Sequence, residues 1–152
     1  MSKITKISKK GLDLIKSFEG LSLKPYLCPA KIPTLGYGNT FYPNGIKVKM
    51  TDPSITEEKA SEMLLAILKH YETVVDSYVR DDINQSQFDA LVSFAYNCGI
   101  GNLKSSTLLK KVNANPKDET IVGEFMKWNK GGGKVLLGLT KRRTAEANLY
   151  FS

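Results

Sequence analysis

Residues 56–78 read TEEKASEMLLAILKHYETVVDSY, and the periodicity of that run decides the architecture. Ala60, Met63, Leu64, Ile67, Tyr71, Val74, Val75 and Tyr78 recur in steps of three and four, while Glu57, Glu58, Glu62, Lys69 and Glu72 fall between them. This is the apolar stripe of an amphipathic helix, opened by Thr56 as its cap. At 1.5 Å per residue a helix of roughly 24 residues is about 36 Å long, enough to join two lobes.

Upstream of it the character changes. Pro25, Pro29, Pro33, Gly36, Gly38, Pro43 and Gly45 punctuate short runs of Tyr, Ile, Leu and Val across residues 21–50, which predicts a small, irregular antiparallel sheet with tight turns. Before that segment, residues 8–18 predict a helix capped by Ser8, with Leu12, Ile15 and Phe18 on its apolar face and Gly20 at its end. Downstream, Asn84 or Ser86 caps a helix that buries Phe88, Leu91, Val92 and Ala95 and is ended by Gly99 and Gly101. A short helix over residues 107–112 follows. Asn115-Pro116 then opens a helix carrying Ile121, Phe125 and Trp128. Gly131-Gly132-Gly133 breaks it, and a last helix covers about 139–150. The fold class is α+β, mostly helical, with one small sheet near the N-terminus.

Composition narrows the partners. The chain has 152 residues, 41% hydrophobic and 24% charged, which excludes collagen, extended disorder and a cysteine-stapled miniprotein. No apolar run approaches the ~20 residues of a membrane span. The net charge of +7 is unevenly spread, at +7 over residues 1–49, −6 over 50–98 and +6 over 99–152. Two basic ends suit an anionic polymer such as nucleic acid, a bacterial wall or an acidic membrane. Two cysteines, Cys28 and Cys98, make no disulfide framework. The start is basic without an apolar core, so it is not a secretory signal; synthesis in the reducing cytosol with both thiols free is expected.

Few residues have the makings of a reactive site. His70 is the sole histidine, so a zinc site or a Ser-His-Asp triad has no basis, and it reads as a surface or helix-pairing residue. Leu35-Gly-Tyr-Gly-Asn39 lacks the spacing of a phosphate-binding loop. Glu19 stands apart, because it ends an amphipathic helix beside Phe18. A glutamate at such a place can be half-buried against apolar side chains, an environment that favours the protonated form a general acid needs. By position alone it is also an ordinary helix-end carboxylate.

Eight residues separate Glu19 from Cys28, and five separate Cys28 from Thr34. This resembles the Glu-x8-(Asp or Cys)-x5-Thr triad of the phage-type lysozymes, glycoside hydrolase family 24. The resemblance extends through Leu14-Ile-Lys-Ser-Phe-Glu-Gly20, Pro33-Thr-Leu-Gly-Tyr-Gly38, the interior phrase Gln87 to Gly99, Phe125-Met-Lys-Trp128, and Gly138-Leu-Thr-Lys-Arg-Arg-Thr-Ala-Glu146. It implies a lysozyme-like single domain over residues 1–152. An N-terminal lobe of about 15–58 would bear the sheet, a first helix would pack on the C-terminal lobe of about 80–152, and the long helix would link the two. It implies cleavage of the β-1,4 bond between N-acetylmuramic acid and N-acetylglucosamine in peptidoglycan, without metal or cofactor. Glu19 would protonate the leaving oxygen, and Thr34 would hold a water on the opposite face of the sugar, as on the inverting route. Cys28 stands where many relatives carry aspartate, as thiolate base, water-orienting group or nucleophile, with water orientation favoured. Arg143 aligns with the arginine that returns to the catalytic glutamate; the other members of Lys141-Arg142-Arg143 read as a solvated basic face.

Trp128, Phe125, Phe88 and Leu91 are expected in the core, with Cys98 a buried structural thiol. Substrate-binding residues are not assigned. The whole reads as a monomeric endolysin that makes no nucleic-acid contact and does not insert into the membrane. It would be held in the bacterial cytoplasm until a separate holin lets it reach the wall. The alternatives are a non-catalytic wall-binding relative, a lytic transglycosylase and a nucleic-acid-binding helical protein.

Overall fold

The computed structural model describes residues 3–152. Its contacts form two units. One holds Ile15–His70, and the other holds Tyr71–Ser152 with the described residues up to Leu14. Two helices, α1 (Lys9–Glu19) and α2 (Glu57–Tyr78), each belong partly to both.

In the 15–70 unit the expected sheet is a hairpin, β1 (Ser22–Leu27) and β2 (Pro33–Gly36), with Tyr26 opposite Thr34 and Leu27 opposite Pro33. The register shifts between Ser22 and Tyr26, around Pro25, which has no N–H to give to a ladder. Isolated bridges join Leu35 to Asn39 and Phe41 to Lys47. Leu35, Val48 and Met63 form the core, flanked by Tyr42 and Ile55. Gly36 has a positive φ of 66°, and a Cβ there would touch Ala60 of α2 at 3.4 Å. Thr56 caps α2 as expected, its Oγ1 accepting from the Lys59 N–H at 3.1 Å. The buried stripe of α2 is shifted from the expected one. Ala60, Met63, Leu64 and Val75 are buried, but so are Leu68 and the carboxylate-bearing Glu72. Glu72 is accommodated because its Oε2 accepts from the Ile7 N–H at 2.6 Å.

The other unit is helical: α3 (Gln85–Cys98), α4 (Ile100–Ser105), α5 (Thr107–Ala114), α6 (Ile121–Met126) and α7 (Leu137–Tyr150). Asn84 caps α3 in a full capping box, accepting from the Gln87 N–H while the Gln87 side chain accepts from the Asn84 N–H. Phe88, Leu91, Val92 and Ala95 are buried as expected, yet every residue from Gln87 to Ala95 is buried, so α3 is a central helix covered all round. Phe94 makes edge contacts with Phe125 and Trp128, at centroid distances of 6.0 and 5.4 Å.

Three expectations need correction here. Gly101 does not end a helix but lies inside α4. Pro116 is not the first residue of a helix, because α6 begins at Ile121. Asn115 Oδ1 takes the Lys117 N–H at 3.1 Å and Asp118 Oδ1 takes the Thr120 N–H at 2.9 Å, and such side-chain turns compete with helix. The glycine run does more than break a helix. It turns a short hairpin, β3 (Lys130–Gly131) to β4 (Lys134–Val135), with Gly132 and Gly133 both at positive φ, as a type I′ turn requires. Among the described residues, no helix is long and apolar enough to cross a membrane.

Candidate active site

Glu19 is the last residue of α1 and is half-buried. The helix stops there because Gly20 takes φ 72° and returns its N–H to the Lys16 carbonyl at 3.1 Å. The last turn is moored within the 15–70 unit. Lys16 Nζ donates to Ser61 Oγ at 2.8 Å, pairs with Glu57 at 3.7 Å and lies 5.2 Å from the Tyr37 ring centroid. Tyr37 closes the cluster by donating to Glu57 Oε1 at 2.8 Å. The Tyr37 hydroxyl first, then Ser61 and Lys16, hold the Glu57 carboxyl below the usual carboxylate range against partial desolvation.

Cys28 and Thr34 belong to the same unit, at the tip and on the second strand of the hairpin. The tip is a turn in which the Lys31 N–H returns to the Cys28 carbonyl at 2.7 Å, followed by a Cys28 N–H to Ile32 carbonyl bond at 3.1 Å. Pro29 presets the turn, and Lys31 takes the left-handed conformation, φ 61°, that completes a three-residue hairpin loop. The backbone N–H of Ile32 foremost, then that of Ala30 and the Thr34 hydroxyl, hold the Cys28 pKa below the ordinary thiol value, although burial opposes them. Thr34 is buried, and its Oγ1 donates to the Ile32 carbonyl at 2.8 Å. Glu19, Cys28 and Thr34 thus belong to one unit, at a helix end, a hairpin tip and a strand respectively.

Arg143 lies in the other unit, on α7. Its Nε is 2.7 Å from Glu146 Oε1, and Nη2 donates to Asn97 Oδ1 at 2.8 Å and to Glu146 Oε2 at 3.1 Å. Nη1 donates to Cys98 Sγ at 2.6 Å and to the Trp128 carbonyl at 3.4 Å. Arg142 shares the same carboxylate at 3.4 Å, and Ser93 Oγ donates to it at 2.5 Å. Arg142, Arg143 and Glu146 are all buried, so the basic-face reading of the run holds for Lys141 alone. Burial pushes the Glu146 carboxyl up, opposed by Arg143, Ser93 and Arg142. The role of Glu146 as shared counter-charge shows in the sequence only as a spacing of three and four residues from the two arginines. Arg143 also floors a cavity of about 410 Å³ with Asn97, Cys98, Trp128, Lys127 and Lys130 on its walls. Burial raises the Cys98 thiol, which Arg143 opposes. Cys98 and Trp128 are half-buried rather than core, whereas Phe88, Leu91 and Phe125 are core. Both cysteines are free thiols, and His70 is exposed. Among the described residues no group of three His, Cys, Asp or Glu side chains could hold a metal ion.

The sequence model of the family described as phage lysozyme matches residues 16–146. The chain belongs to the phage lysozyme family. An endolysin of Bacillus phage B103 is 47% identical over 148 residues, which cover 96% of this chain and 54% of that protein; this phage lysozyme chain spans about half the length of that relative. A SAR-endolysin of Haemophilus phage HP1 is 34% identical over 154 residues, covering 94% of this chain and 80% of the relative. The solved endolysin from Escherichia coli O157:H7 phage FAHEc1 superimposes with a TM-score of 0.90 at 38% identity, covering 100% of this chain and 97% of that one. The mostly helical architecture with a small antiparallel sheet is therefore that of the phage lysozymes.

Proposed function

We propose that this chain is an endolysin that hydrolyses the β-1,4 bond between N-acetylmuramic acid and N-acetylglucosamine in peptidoglycan. Glu19 protonates the leaving glycosidic oxygen while Cys28 and Thr34 hold the attacking water. The observation that carries the reading is the hairpin tip. The Cys28 N–H and the Thr34 hydroxyl donate to the same Ile32 carbonyl, at 3.1 and 2.8 Å, so two residues of the triad spacing are tied to one backbone group. A fixed sulfur offers its lone pairs to a water, and a lowered pKa lets it share that water's proton as the bond to the sugar forms. Family membership supports the reaction class. Arg143 acts in support, its guanidinium held immobile by Glu146.

On this reading the partner is the wall polymer and not nucleic acid, the protein works as a monomer, and it leaves the cytoplasm through a separate holin. Export is tested by expressing the chain with and without a holin; lysis in both cultures would replace the holin with a route intrinsic to the protein.

The reaction is tested by digesting purified peptidoglycan with the wild type and with Glu19→Gln, and identifying the ends by mass spectrometry. Wild type is expected to give reducing muramic-acid ends, and Glu19→Gln to lose about 10²–10⁴-fold in rate with an unchanged circular dichroism spectrum. Anhydro ends would make it a transglycosylase, and no cleavage by the wild type would leave a wall-binding protein. Cys28→Ser should retain measurable activity if the thiol orients water, whereas loss as deep as that of Glu19→Gln would assign it as base or nucleophile.

A further inference from the structure

The 15–70 unit carries a second feature, away from the hairpin tip. The turn over residues 41–47 packs against α2 and leaves a crevice of about 170 Å³, lined by Phe41, Tyr42 and Pro43 from the turn and by Met63, Ala66 and Ile67 from the helix. The turn is rigid. Tyr42 N–H donates to the Ile46 carbonyl and Gly45 N–H to the Tyr42 carbonyl, both at 2.9 Å, and Asn44 Oδ1 accepts from the Ile46 N–H at 3.0 Å.

Its chemistry is that of a surface built to leave water. Phe41 is 42% and Ile46 58% exposed, and Lys47 and Lys49 beside them are exposed too. No Asp or Glu occurs between Glu19 and Asp52, whereas Lys24, Lys31, Lys47 and Lys49 do. Asp52 and Glu62 are already engaged: Asp52 Oδ2 accepts from the Tyr42 hydroxyl at 2.7 Å and the Lys49 N–H at 2.9 Å, and Glu62 pairs with Lys59 at 3.8 Å. A sugar would need donors and acceptors that the crevice lining lacks, since the one hydroxyl among those six side chains is spent on Asp52.

We propose that the 41–49 segment is a docking surface for anionic phospholipid bilayers. Phe41 and Ile46 enter the boundary between headgroups and acyl chains, the crevice takes the end of an acyl chain, and the Lys47 and Lys49 ammonium groups reach the phosphates. Such a surface would hold the protein at a membrane independently of any bond it cleaves.

The test is co-sedimentation of the full chain with vesicles of phosphatidylglycerol and phosphatidylcholine in equal parts, against phosphatidylcholine alone. Binding is expected to the mixed vesicles only. Lys47→Gln with Lys49→Gln should weaken it by about 30-fold, and Ile46→Gln, at the most exposed apolar position of the turn, should also weaken it without moving Tm. Lys130→Gln with Lys134→Gln removes the same charge from the other unit and should leave most of the binding. Three results would overturn the proposal: no sedimentation of the wild type, equal losses in the two lysine pairs, or full binding by Ile46→Gln. Equal losses would mean attraction by net charge alone, and full binding by Ile46→Gln would leave a basic patch suited to a soluble polyanion.

Discussion

Glu146 shows how much one side chain can hold in place. Its carboxylate is the counter-charge for two buried guanidiniums, and one of these positions Asn97 and Cys98 at the wall of a cavity. Removing one partner of a buried ion pair leaves an uncompensated charge out of water. Glu146→Gln should therefore destabilise the protein by about 3–5 kcal/mol, read as a lower urea midpoint at unchanged m-value. A cost under about 1 kcal/mol, the range of an exposed pair, would mean that the network is solvated. The residue was hidden in the sequence because a carboxylate three or four positions from arginines on a helix looks the same whether the face is wet or dry. Only the packing of α7 against α3 decides that. Glu19, Cys28 and Thr34 stand out by their spacing, but the turn that ties Cys28 to Thr34 through the Ile32 carbonyl does not. It depends on Lys31 adopting a left-handed conformation, and propensity would place glycine or asparagine there.

At the scale of elements, the strongest sequence signals were the boundary residues whose chemistry is local. Thr56, Asn84 and Gly20 do what their types predict, since a cap or a left-handed stop needs nothing from the rest of the fold. Asn84→Ala should lower stability by about 1 kcal/mol through loss of the capping box, measured by denaturant titration. Gly20→Ala tests the stop at α1. A Cβ there meets nothing within 4 Å, so the cost of about 1–2 kcal/mol is that of the positive φ alone; a neutral result would show that the turn relaxes. The elements missed were α4 and the β3–β4 hairpin. Each is short and depends on its surroundings: α4 contains Gly101 and is anchored by the buried Leu103, and the hairpin is two residues per strand. Helices this short gain most of their stability from packing rather than propensity. The full burial of α3 was likewise invisible, because Asp89 and Ser93 look like solvent-facing positions until Ser8 and Glu146 are found bonded to them.

Across the whole molecule the titrating groups set a pH window. Asp52, Glu57, Asp82, Asp118 and Glu124 all sit below their ordinary values, the first through the Lys49 N–H, the next four through Tyr37, Arg80, Thr120 and Lys111 respectively. Their folded pKa values lie under the unfolded ones, so their contribution is present above the ordinary carboxylate range and is lost as pH falls through the folded values. Tyr42, pushed up to about 12 by burial and by Asp52, has the opposite sign. Its contribution is present below the unfolded tyrosine value and is lost as pH rises toward 12. Tm measured across pH should show a plateau that falls on both sides, and a Tm that kept rising into acid would contradict these pairings. The two thiols, shifted in opposite directions, give the protein a built-in labelling address. Cys28, activated by its turn, should react with a maleimide dye in mildly acidic buffer while Cys98, weakly ionised beneath Arg143, stays untouched. A fluorophore could then be placed at the tip of the β1–β2 hairpin without any substitution, with peptide mapping to confirm the site.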